Sequence, residues 1–362
     1  LVGAILPWAL GAAGVGAVGA AVNNGSSNNN DGTPSPVKKL STLVVTDNVE
    51  PKTGQLTAGS ATNDKTPVVS GTGAESGATI KVYDGNQLVA ETVAKADGSW
   101  SVKLPKELTD GEHSISATQT VDGVEGPKSD ALNFTVDTQD PTVSINDLGD
   151  TNDTTPTISG KTNEPKAEID VVIKDKNGNV VDSGKANVDD QGNWNYTPSK
   201  PLPEGDYKVE VTAKDPAGNE STQDKGGLVV DTTDPTITID PLKPTGDSTP
   251  TITGKTDPDA SVDVVIKDKD GNIVDSGKGT VDGNGDWTYT PSKPLPEGPY
   301  EVEVTAKDPA GNDKTVTDKG LDVDSSLPVI SIDPLKPTND TTPTVTGKTE
   351  PGATVTVEVK DS

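Results

Sequence analysis

The sequence contains no cysteine, no methionine and no arginine, and it has one phenylalanine and one histidine. Without cysteine it can form neither a disulfide framework nor a thiolate metal site. Without a second histidine, and with no G-x-S-x-G motif or phosphate-binding glycine loop, no nucleophile–base pair can be assembled, so we expect no enzymatic activity. Hydrophobic residues make up 30% and aromatic residues 3% of 362 residues. So low a fraction of large apolar side chains cannot fill one large core, which indicates several small domains.

The charge balance is strongly acidic. Fifty-seven aspartates and glutamates stand against 30 lysines, which gives a formal net charge of −27. A surface of this sign repels phosphate backbones, so we expect no nucleic-acid binding, whereas it attracts cations. An extracellular protein without disulfide cross-links needs another source of rigidity, and bound metal ions are the candidate that this charge favours.

An internal repeat of about 94 residues runs through most of the chain. Trp100, Trp194 and Trp287 are spaced by 94 and 93 residues, and TPTISGKT at Thr155 returns twice as TPTITGKT and TPTVTGKT. Self-similarity at a fixed period is the signature of a tandem array. The sequence therefore predicts three full repeats and a truncated fourth, at residues 43–137, 138–231, 232–325 and 326–362.

Each repeat is predicted to consist of short strands joined by turns. In YKVEVTAKD, Tyr207, Val209 and Val211 alternate with polar residues, which is the period of a half-buried strand. Turn signals at intervals of roughly 8–12 residues are typical of an immunoglobulin-like sandwich. The predicted fold is all-β, a tandem array of immunoglobulin-like β-sandwich domains preceded by an apolar Gly/Ala-rich segment. Tyr207 and Tyr300 stand at the position of a tyrosine corner, so we expect each hydroxyl to bond a backbone group.

The segments VTDNVEPKTGQLTAGSATNDKTPVVSG and ADGSWSVKLPKELTDGEHSISA of the first repeat resemble the bacterial Ig-like repeats of large type I-secreted, biofilm-associated surface adhesins. TNDTTPTISGKTNEP, GNWNYTPSKPLPEGDYKVEVTAKDPAGN and VDTTDP of the later repeats resemble the same family, so the likeness covers about residues 43–362. It implies a stalk of Ig-like domains at the bacterial surface, of a kind often stiffened by calcium. Such modules also occur in intimin- and invasin-like proteins, so the secretion route stays open.

Aspartates recur where one repeat passes into the next. VDTTDPTITID begins at Val230 and has a close copy, VDTQDPTVSIN, at Val136. In an Ig topology this linker and the last hairpin loop, DPAGN, lie at the same pole, and the first loop of the preceding repeat faces them with Asp153. Clustered carboxylates repel one another unless a cation neutralises them, and Ca²⁺ takes roughly six to eight oxygen ligands, so the pattern predicts structural Ca²⁺. The candidate ligands are Asp137, Asp140, Asp215 and Asn219 at the first joint and Asp231, Asp234, Asp308 and Asn312 at the second, with Asp257 on a neighbouring loop.

The alternative is that these aspartates only shape solvated turns, because Asp before Pro or Gly is ordinary loop chemistry. Two departures from the repeat pattern allow the calcium site and the solvated turn to be compared within the same chain. The third copy of the linker, VDSSLP, has Leu327 in place of the second aspartate, so we expect weak binding or none there. The first repeat has QTVDGVEGPKS where later repeats have KDPAGN, which leaves a site before it open.

Three other features have structural explanations. Each repeat tryptophan could stack on a sugar, but each begins an alternating strand, which favours a core position. His113 occupies the place of Tyr207 and Tyr300, which favours a structural substitution over catalysis. The segment VDGNGDW starts like an EF-hand, but Trp287 and Lys293 stand where that loop requires glycine and glutamate, so an EF-hand is excluded.

A stretch of 22 uncharged residues, 1–22, opens the sequence and includes Pro7 and five glycines. Its length suits a membrane span, yet a signal-peptide remnant, a membrane- or pore-lodged segment and a Gly/Ala hinge all fit it. Its composition resembles the apolar stretch before the Ig array of large biofilm adhesins, which favours membrane association or a retention role. Residues 23–42 then read as a flexible linker.

The predicted function is mechanical. We expect a stalk or spacer of a secreted, outer-membrane-associated adhesin at the bacterial cell surface, acting in cell adhesion and biofilm formation. Domains outside this segment would contact host-cell or biofilm-matrix components. One alternative is that the repeats themselves bind host protein or glycan, and another is an accessory array of a carbohydrate-active enzyme. The near identity of repeats two and three favours a spacer, since a dedicated binding site would more often single out one copy.

Overall fold

The computed structural model describes residues 36–361, and every regular element within them is a β-strand. No helix occurs among these residues, so none of them crosses a membrane in helical form. They contain three separate hydrophobic cores, one for each of three sandwich domains. The predicted all-β tandem array is thereby confirmed. The apolar segment 1–22 and the linker up to residue 35 lie outside the described residues.

Domain 1 contains ten strands, which are β1 (Val44–Asp47), β2 (Gly54–Gln55), β3 (Ala61–Thr62), β4 (Val68–Gly71), β5 (Thr79–Asp84), β6 (Gln87–Val93), β7 (Trp100–Lys103), β8 (Gly111–Val121), β9 (Val124–Glu125) and β10 (Leu132–Val136). One sheet has the order β2-β1-β4-β7 and the other the order β3-β10-β8-β5-β6, with β9 paired to β8. The core lies between these two sheets.

Domain 2 contains nine strands, which are β11 (Val143–Ile145), β12 (Asp150–Thr151), β13 (Ile158–Thr162), β14 (Glu168–Asp175), β15 (Val180–Lys185), β16 (Asn187–Val188), β17 (Asn193–Tyr196), β18 (Gly205–Lys214) and β19 (Glu220–Val230). Its two sheets have the orders β11-β13-β17-β16 and β12-β19-β18-β14-β15.

Domain 3 contains seven strands, which are β20 (Ile237–Ile239), β21 (Ile252–Thr256), β22 (Ser261–Asp268), β23 (Ile273–Val281), β24 (Asp286–Tyr289), β25 (Gly298–Lys307) and β26 (Asp313–Val323). They form one path, β20-β21-β24-β23-β22-β25-β26, because β23 pairs with both β22 and β24. In domain 2 the matching stretch is divided into β15 and β16, so the two faces remain separate sheets.

Strict alternation of apolar and polar residues builds each core. In β14, Ile169, Val171 and Ile173 are fully buried, and they face inward together with Val209 and Val211 of the neighbouring strand β18. Successive side chains of a strand point to opposite faces, so a period of two places every second residue inside. The alternation in the sequence therefore predicted these inner faces correctly.

The tyrosine corner is also confirmed. The hydroxyl of Tyr207 donates to the carbonyl oxygen of Pro203 at 2.5 Å, and Tyr300 makes the same bond to Pro296. In domain 1, Nε2 of His113 lies 2.7 Å from the carbonyl oxygen of Thr109, again four residues upstream. His113 therefore replaces the corner tyrosine, as its place in the repeat predicted.

The repeat tryptophans are core residues. Trp100, Trp194 and Trp287 are 2%, 1% and 0% exposed, so none of them presents a ring to solvent. The indole N–H of Trp194 donates to the carbonyl oxygen of Ser144 at 3.2 Å, and that of Trp287 donates to Thr238 at 3.0 Å. This agrees with the predicted core position. The three buried rings therefore cannot stack on a sugar.

The fourth repeat contributes one hairpin, β27 (Ile330–Ile332) with β28 (Gly347–Thr349). This pair matches β20 with β21 in domain 3, where the tryptophan strand β24 covers the next position in the sheet. Residues 326–361 contain no such strand, so Ile330 and Ile332 are 60% and 66% exposed.

A buried carboxylate ties the two sheets of domain 2 together. Asp182 on β15 accepts hydrogen bonds from the hydroxyl of Tyr196 on β17 at 2.6 Å and from the hydroxyl of Ser199 at 2.7 Å. Burial by itself would raise the pKa of Asp182, but these hydrogen bonds hold the pKa below its usual value. Burial and the neighbouring carboxylate raise the pKa of Tyr196 to about 12, so its hydroxyl remains a donor. Domain 3 repeats the arrangement with Asp275 and Tyr289.

Replacing Tyr196 with phenylalanine removes one donor from this buried carboxylate. We expect Tyr196→Phe to lower the unfolding free energy of domain 2 by about 1.5–3 kcal/mol at neutral pH, the range for hydrogen bonds to charged groups. Because the folded-state pKa of Asp182 lies below its unfolded value of about 3.9, the stabilisation is complete above that value and is lost as pH falls through the folded pKa. The acid sensitivity of domain 2 should therefore weaken in the variant. Urea unfolding at pH 7 and pH 3, resolved by domain with pulsed hydrogen exchange, measures both effects.

The matched control is Tyr83→Phe in domain 1. Tyr83 also donates to a carboxylate, Glu125, at 2.6 Å, but that side chain is 38% exposed. Water replaces the lost donor at an exposed group, so we expect less than about 1 kcal/mol. Equal losses in the two variants would contradict the role assigned to burial.

Candidate cation sites at the domain joints

Each linker meets the last hairpin loop of the domain that follows it. We call the contact of domain 1 with domain 2 joint 1 and the contact of domain 2 with domain 3 joint 2. At joint 1 the amide of Asn219 donates to the backbone carbonyl of Asp137 at 2.9 Å and to the carboxylate of Asp215 at 2.7 Å. At joint 2 Asn312 makes the same pair of bonds, to Asp231 and Asp308, at 2.8 Å each. The structure thus brings together three of the four predicted residues at each joint.

The remaining residue of each set behaves differently. Asp140 and Asp234 are both exposed. Asp234 still lines the same cleft as Asp231 and Asp308. Asn219 and Asn312 act as hydrogen-bond donors, with the amide nitrogen turned toward the linker, rather than as oxygen ligands.

The loop sequence DPAGN explains its own shape. Oδ1 of Asp215 accepts the backbone N–H groups of Gly218 at 2.7 Å and Asn219 at 2.9 Å, which closes the loop on its first residue. Proline sets φ near the value that a turn needs, and Gly218 takes φ +104°, a conformation that costs glycine little. Gly311 repeats this with φ +101°. Local hydrogen bonds therefore hold the loop in this conformation without a bound ion.

The preceding domain completes each joint through its first loop. At joint 2 the backbone N–H of Asn152 donates to the carbonyl oxygen of Ala310 at 3.0 Å. Asp153, which the sequence placed at this contact, instead accepts the backbone N–H of Thr155 within its own turn at 2.8 Å. Asp150 is the aspartate of this loop that lines the joint. The predicted meeting of the two loops is correct, but the carboxylate is a different one.

Joint 2 contains an acidic cleft, which we call the joint-2 cleft. Its charged lining consists of Asp150, Asp231, Asp234, Asp257, Asp259 and Asp308. In the described part of the chain no lysine lines it. Hydrogen bonds from the hydroxyl and the backbone N–H of Thr236 hold the pKa of Asp257 below its usual value, so this carboxylate stays charged near neutral pH. Asp150 and Asp259 were missed in the sequence, since the linear order indicates which loops reach the joint but not which residue of each loop lines it.

The chemistry of this lining suits a hard cation, because carboxylate oxygens are the ligands that Ca²⁺ prefers. The positions of the carboxylates suit a bound ion less well, because within residues 36–361 no three acidic or histidine side chains lie close enough to bind one ion. The lining would have to move together around a cation. The eight ligands named from the sequence therefore remain a prediction.

Comparison with known families agrees with the fold. The model of the bacterial Ig-like domain matches residues 39–138, 140–232 and 242–325. These segments cover most of the chain, and they coincide with the three sandwiches described above. The chain belongs to the bacterial Ig-like domain family.

Individual proteins resemble parts of the chain. It is 29% identical over 167 residues to bacillopeptidase F of Bacillus subtilis, which covers 45% of this chain and 11% of that protein. It is 27% identical over 240 residues to the serine-aspartate repeat-containing protein F of Staphylococcus epidermidis, covering 59% and 13%. A solved tetra-tandem repeat from the extending region of a large adhesion protein is 27% identical, with 76% of each chain covered and a TM-score of 0.29. The chain thus spans about a tenth of the length of these curated relatives.

Proposed function

We propose that this chain is part of a stalk that holds other domains of a bacterial surface adhesin away from the cell. The observation that carries the proposal is the position of the two joints of domain 2. Strand β18 begins at Gly205, which pairs with Val230 beside joint 2, and ends at Lys214, which leads into the loop of joint 1. The joints therefore lie at opposite ends of one strand, and successive domains are added end to end.

This arrangement sets the length of the stalk. Ten residues of β18 at about 3.3 Å each span about 33 Å, so three domains with their loops extend over roughly 100 Å. No catalytic group is needed for this role, and we propose that the chain is not an enzyme. The surface location, the association with the outer membrane, the secretion and the part in adhesion and biofilm formation belong to the same proposal.

Calcium is the second part of the proposed function. Six aspartates line the joint-2 cleft, and their mutual repulsion favours separation of the domains unless a cation is bound. We assign Asp231, Asp234, Asp257 and Asp308 as the residues that would hold Ca²⁺ there. Bound Ca²⁺ would supply the positive charge that keeps the loops of domain 2 and domain 3 in contact.

Small-angle X-ray scattering of the chain with Ca²⁺ and with EDTA tests both parts. We expect an elongated particle of roughly 100 Å or more in Ca²⁺. In EDTA its maximum dimension should shorten, because an uncompensated joint bends. Asp234→Asn combined with Asp257→Asn should reproduce the EDTA result in Ca²⁺, whereas Asp224→Asn, at an exposed position on β19 opposite the middle of β18, should not. A compact particle would contradict the stalk, and an elongated particle indifferent to EDTA and to the joint variants would contradict calcium alone.

A further inference from the structure

The same loop is packed differently at the two joints. KDPAGN occurs in domain 2 and in domain 3 with identical sequence, so any difference in burial comes from the residues that surround the loop. Asp215 is 6% exposed and Ala217 is fully buried at joint 1. At joint 2 Asp308 is only half-buried and Ala310 is 9% exposed. Joint 1 is therefore the more tightly closed of the two.

The cause is a longer connection in domain 1. Thirteen residues separate β1 from β3, whereas four separate β11 from β12 in domain 2. The longer connection carries Pro51 and Lys52 across joint 1. The Lys52 ammonium donates to the carbonyl oxygen of Pro216 at 2.5 Å, and a Cβ on Gly218 would lie 3.2 Å from the side chain of Lys52 and 3.7 Å from that of Pro51.

The loops beside the hairpin loop also make joint 1 more buried and less acidic than joint 2. At joint 1 Oδ1 of Asn63 is shielded from solvent without a hydrogen-bond partner among the described residues, whereas Asn152 at the same place in joint 2 is exposed. Oδ1 of Asn163 accepts the backbone N–H of Thr142, just as Asp257 accepts that of Thr236, so an amide replaces a carboxylate.

Lysine also replaces aspartate on this loop. Lys166 directly precedes Ala167 in domain 2, where Asp259 directly precedes Ala260 in domain 3. The loop of domain 2 thus has an amide and a lysine where that of domain 3 has two aspartates, although it also carries Glu164, and Lys52 brings a further positive charge to joint 1. The joint-2 cleft has only acidic charge among its lining residues.

We propose that the Lys52 ammonium takes the place of a metal ion at joint 1, so that domains 1 and 2 keep a fixed orientation without metal. Removal of bound cations then causes bending at joint 2 alone. The part that concerns joint 2 rests on the proposed calcium site, whereas the part that concerns Lys52 does not. The chain then has one permanently rigid joint and one whose rigidity follows the surrounding cation concentration.

Because the chain has no cysteine, pairs of introduced cysteines can carry spin labels without background. Glu91, Ser183 and Ser276 are exposed and lie on the matching strands β6, β15 and β23 of the three domains. Glu91→Cys with Ser183→Cys reports on joint 1, and Ser183→Cys with Ser276→Cys reports on joint 2. Pulsed electron paramagnetic resonance gives the distribution of each distance in the full chain.

We expect the joint 1 distribution to be narrow in Ca²⁺ and equally narrow in EDTA. Lys52→Gln should broaden it in both conditions, to the width that joint 2 shows in EDTA. Lys39→Gln is the matched control, because it removes the same charge from domain 1 at an exposed ion pair with Asp130, away from the joint. Its distribution should equal that of the unsubstituted chain.

Two results would overturn the proposal: a joint 1 distribution that Lys52→Gln leaves narrow, or a joint 1 distribution in the unsubstituted chain that broadens in EDTA as joint 2 does. A distribution of distances across joint 2 that EDTA leaves unchanged contradicts the calcium site instead. The comparison of Lys52→Gln with Lys39→Gln still decides the role of Lys52 in that case.

Discussion

Trp194→Ala is expected to unfold domain 2 under conditions in which domains 1 and 3 remain folded. Trp194 is the largest side chain of a core that contains only two other aromatic residues, Tyr196 and Tyr207. Replacing a buried tryptophan with alanine costs about 3–5 kcal/mol through lost burial and the cavity left behind. A domain of this size has about 5–15 kcal/mol of stability in total. The substitution therefore removes a large fraction of the stability of domain 2.

Hydrogen exchange followed by mass spectrometry separates the domains, because each gives its own peptides. Peptides from β14 and β18 should lose their protection in Trp194→Ala, while peptides from β5 and β25 keep theirs. Val180→Ala is the control, because Val180 is apolar but 58% exposed in the same domain, so its truncation should leave exchange almost unchanged. Loss of protection in all three domains at once would show that the array unfolds as one unit.

Gly160→Ala should destabilise the same domain by a different mechanism. Gly160 lies on β13, and a Cβ there would overlap the carbonyl oxygen of Ser144 on β11 and stand 2.6 Å from Cζ2 of Trp194. Both neighbours are fixed, the first by strand pairing and the second by its indole hydrogen bond to that same carbonyl. Overpacking of a dense core costs about 1–3 kcal/mol and more where backbone must shift. We therefore expect a loss of at least about 2 kcal/mol in urea unfolding.

Gly149→Ala provides the matched control. Gly149 is in the same domain, and a Cβ there would have no atom within 4 Å. The expected change is within about 0.5 kcal/mol, as for other surface substitutions. If Gly160→Ala were tolerated equally well, the close approach of the tryptophan ring to β13 would not be a requirement of the fold. The same glycine recurs as Gly71, Gly254 and Gly347 in the other repeats, each on a matching strand.

Local features of the sequence were reliable guides wherever one residue and its near neighbours decide the outcome. The alternation around Val209 and Val211 determined which side chains face inward, because a strand turns successive residues to opposite sides. The place of His113 in the repeat determined its bond to a carbonyl four residues upstream, because that contact lies within one short segment. The DPAGN loops determined their own closed shape through Asp215 and Asp308.

The joints were only partly predictable. The sequence indicated that linker, hairpin loop and first loop of the preceding domain would meet, since Ig topology places them at one pole. It did not show that Asp150 would line the joint in place of Asp153, because Asp150 lies on the short strand β12 whereas Asp153 bonds within the turn that follows it. The ligands predicted for calcium at joint 2 await the scattering experiment, and the spin-label distances across joint 1 decide the same for Asp137, Asp140, Asp215 and Asn219.

The sequence by itself determined the repeat, the all-β sandwich, the buried tryptophans and the acidic character of the linkers, because each depends on local pattern and composition. Only the tertiary structure decided that the two joints are different. Lys52 is 164 residues away from Pro216 in the chain, and no local pattern relates them. Their contact exists because domain 1 has a longer loop that reaches across joint 1, whereas the shorter loop of domain 2 leaves the joint-2 cleft open.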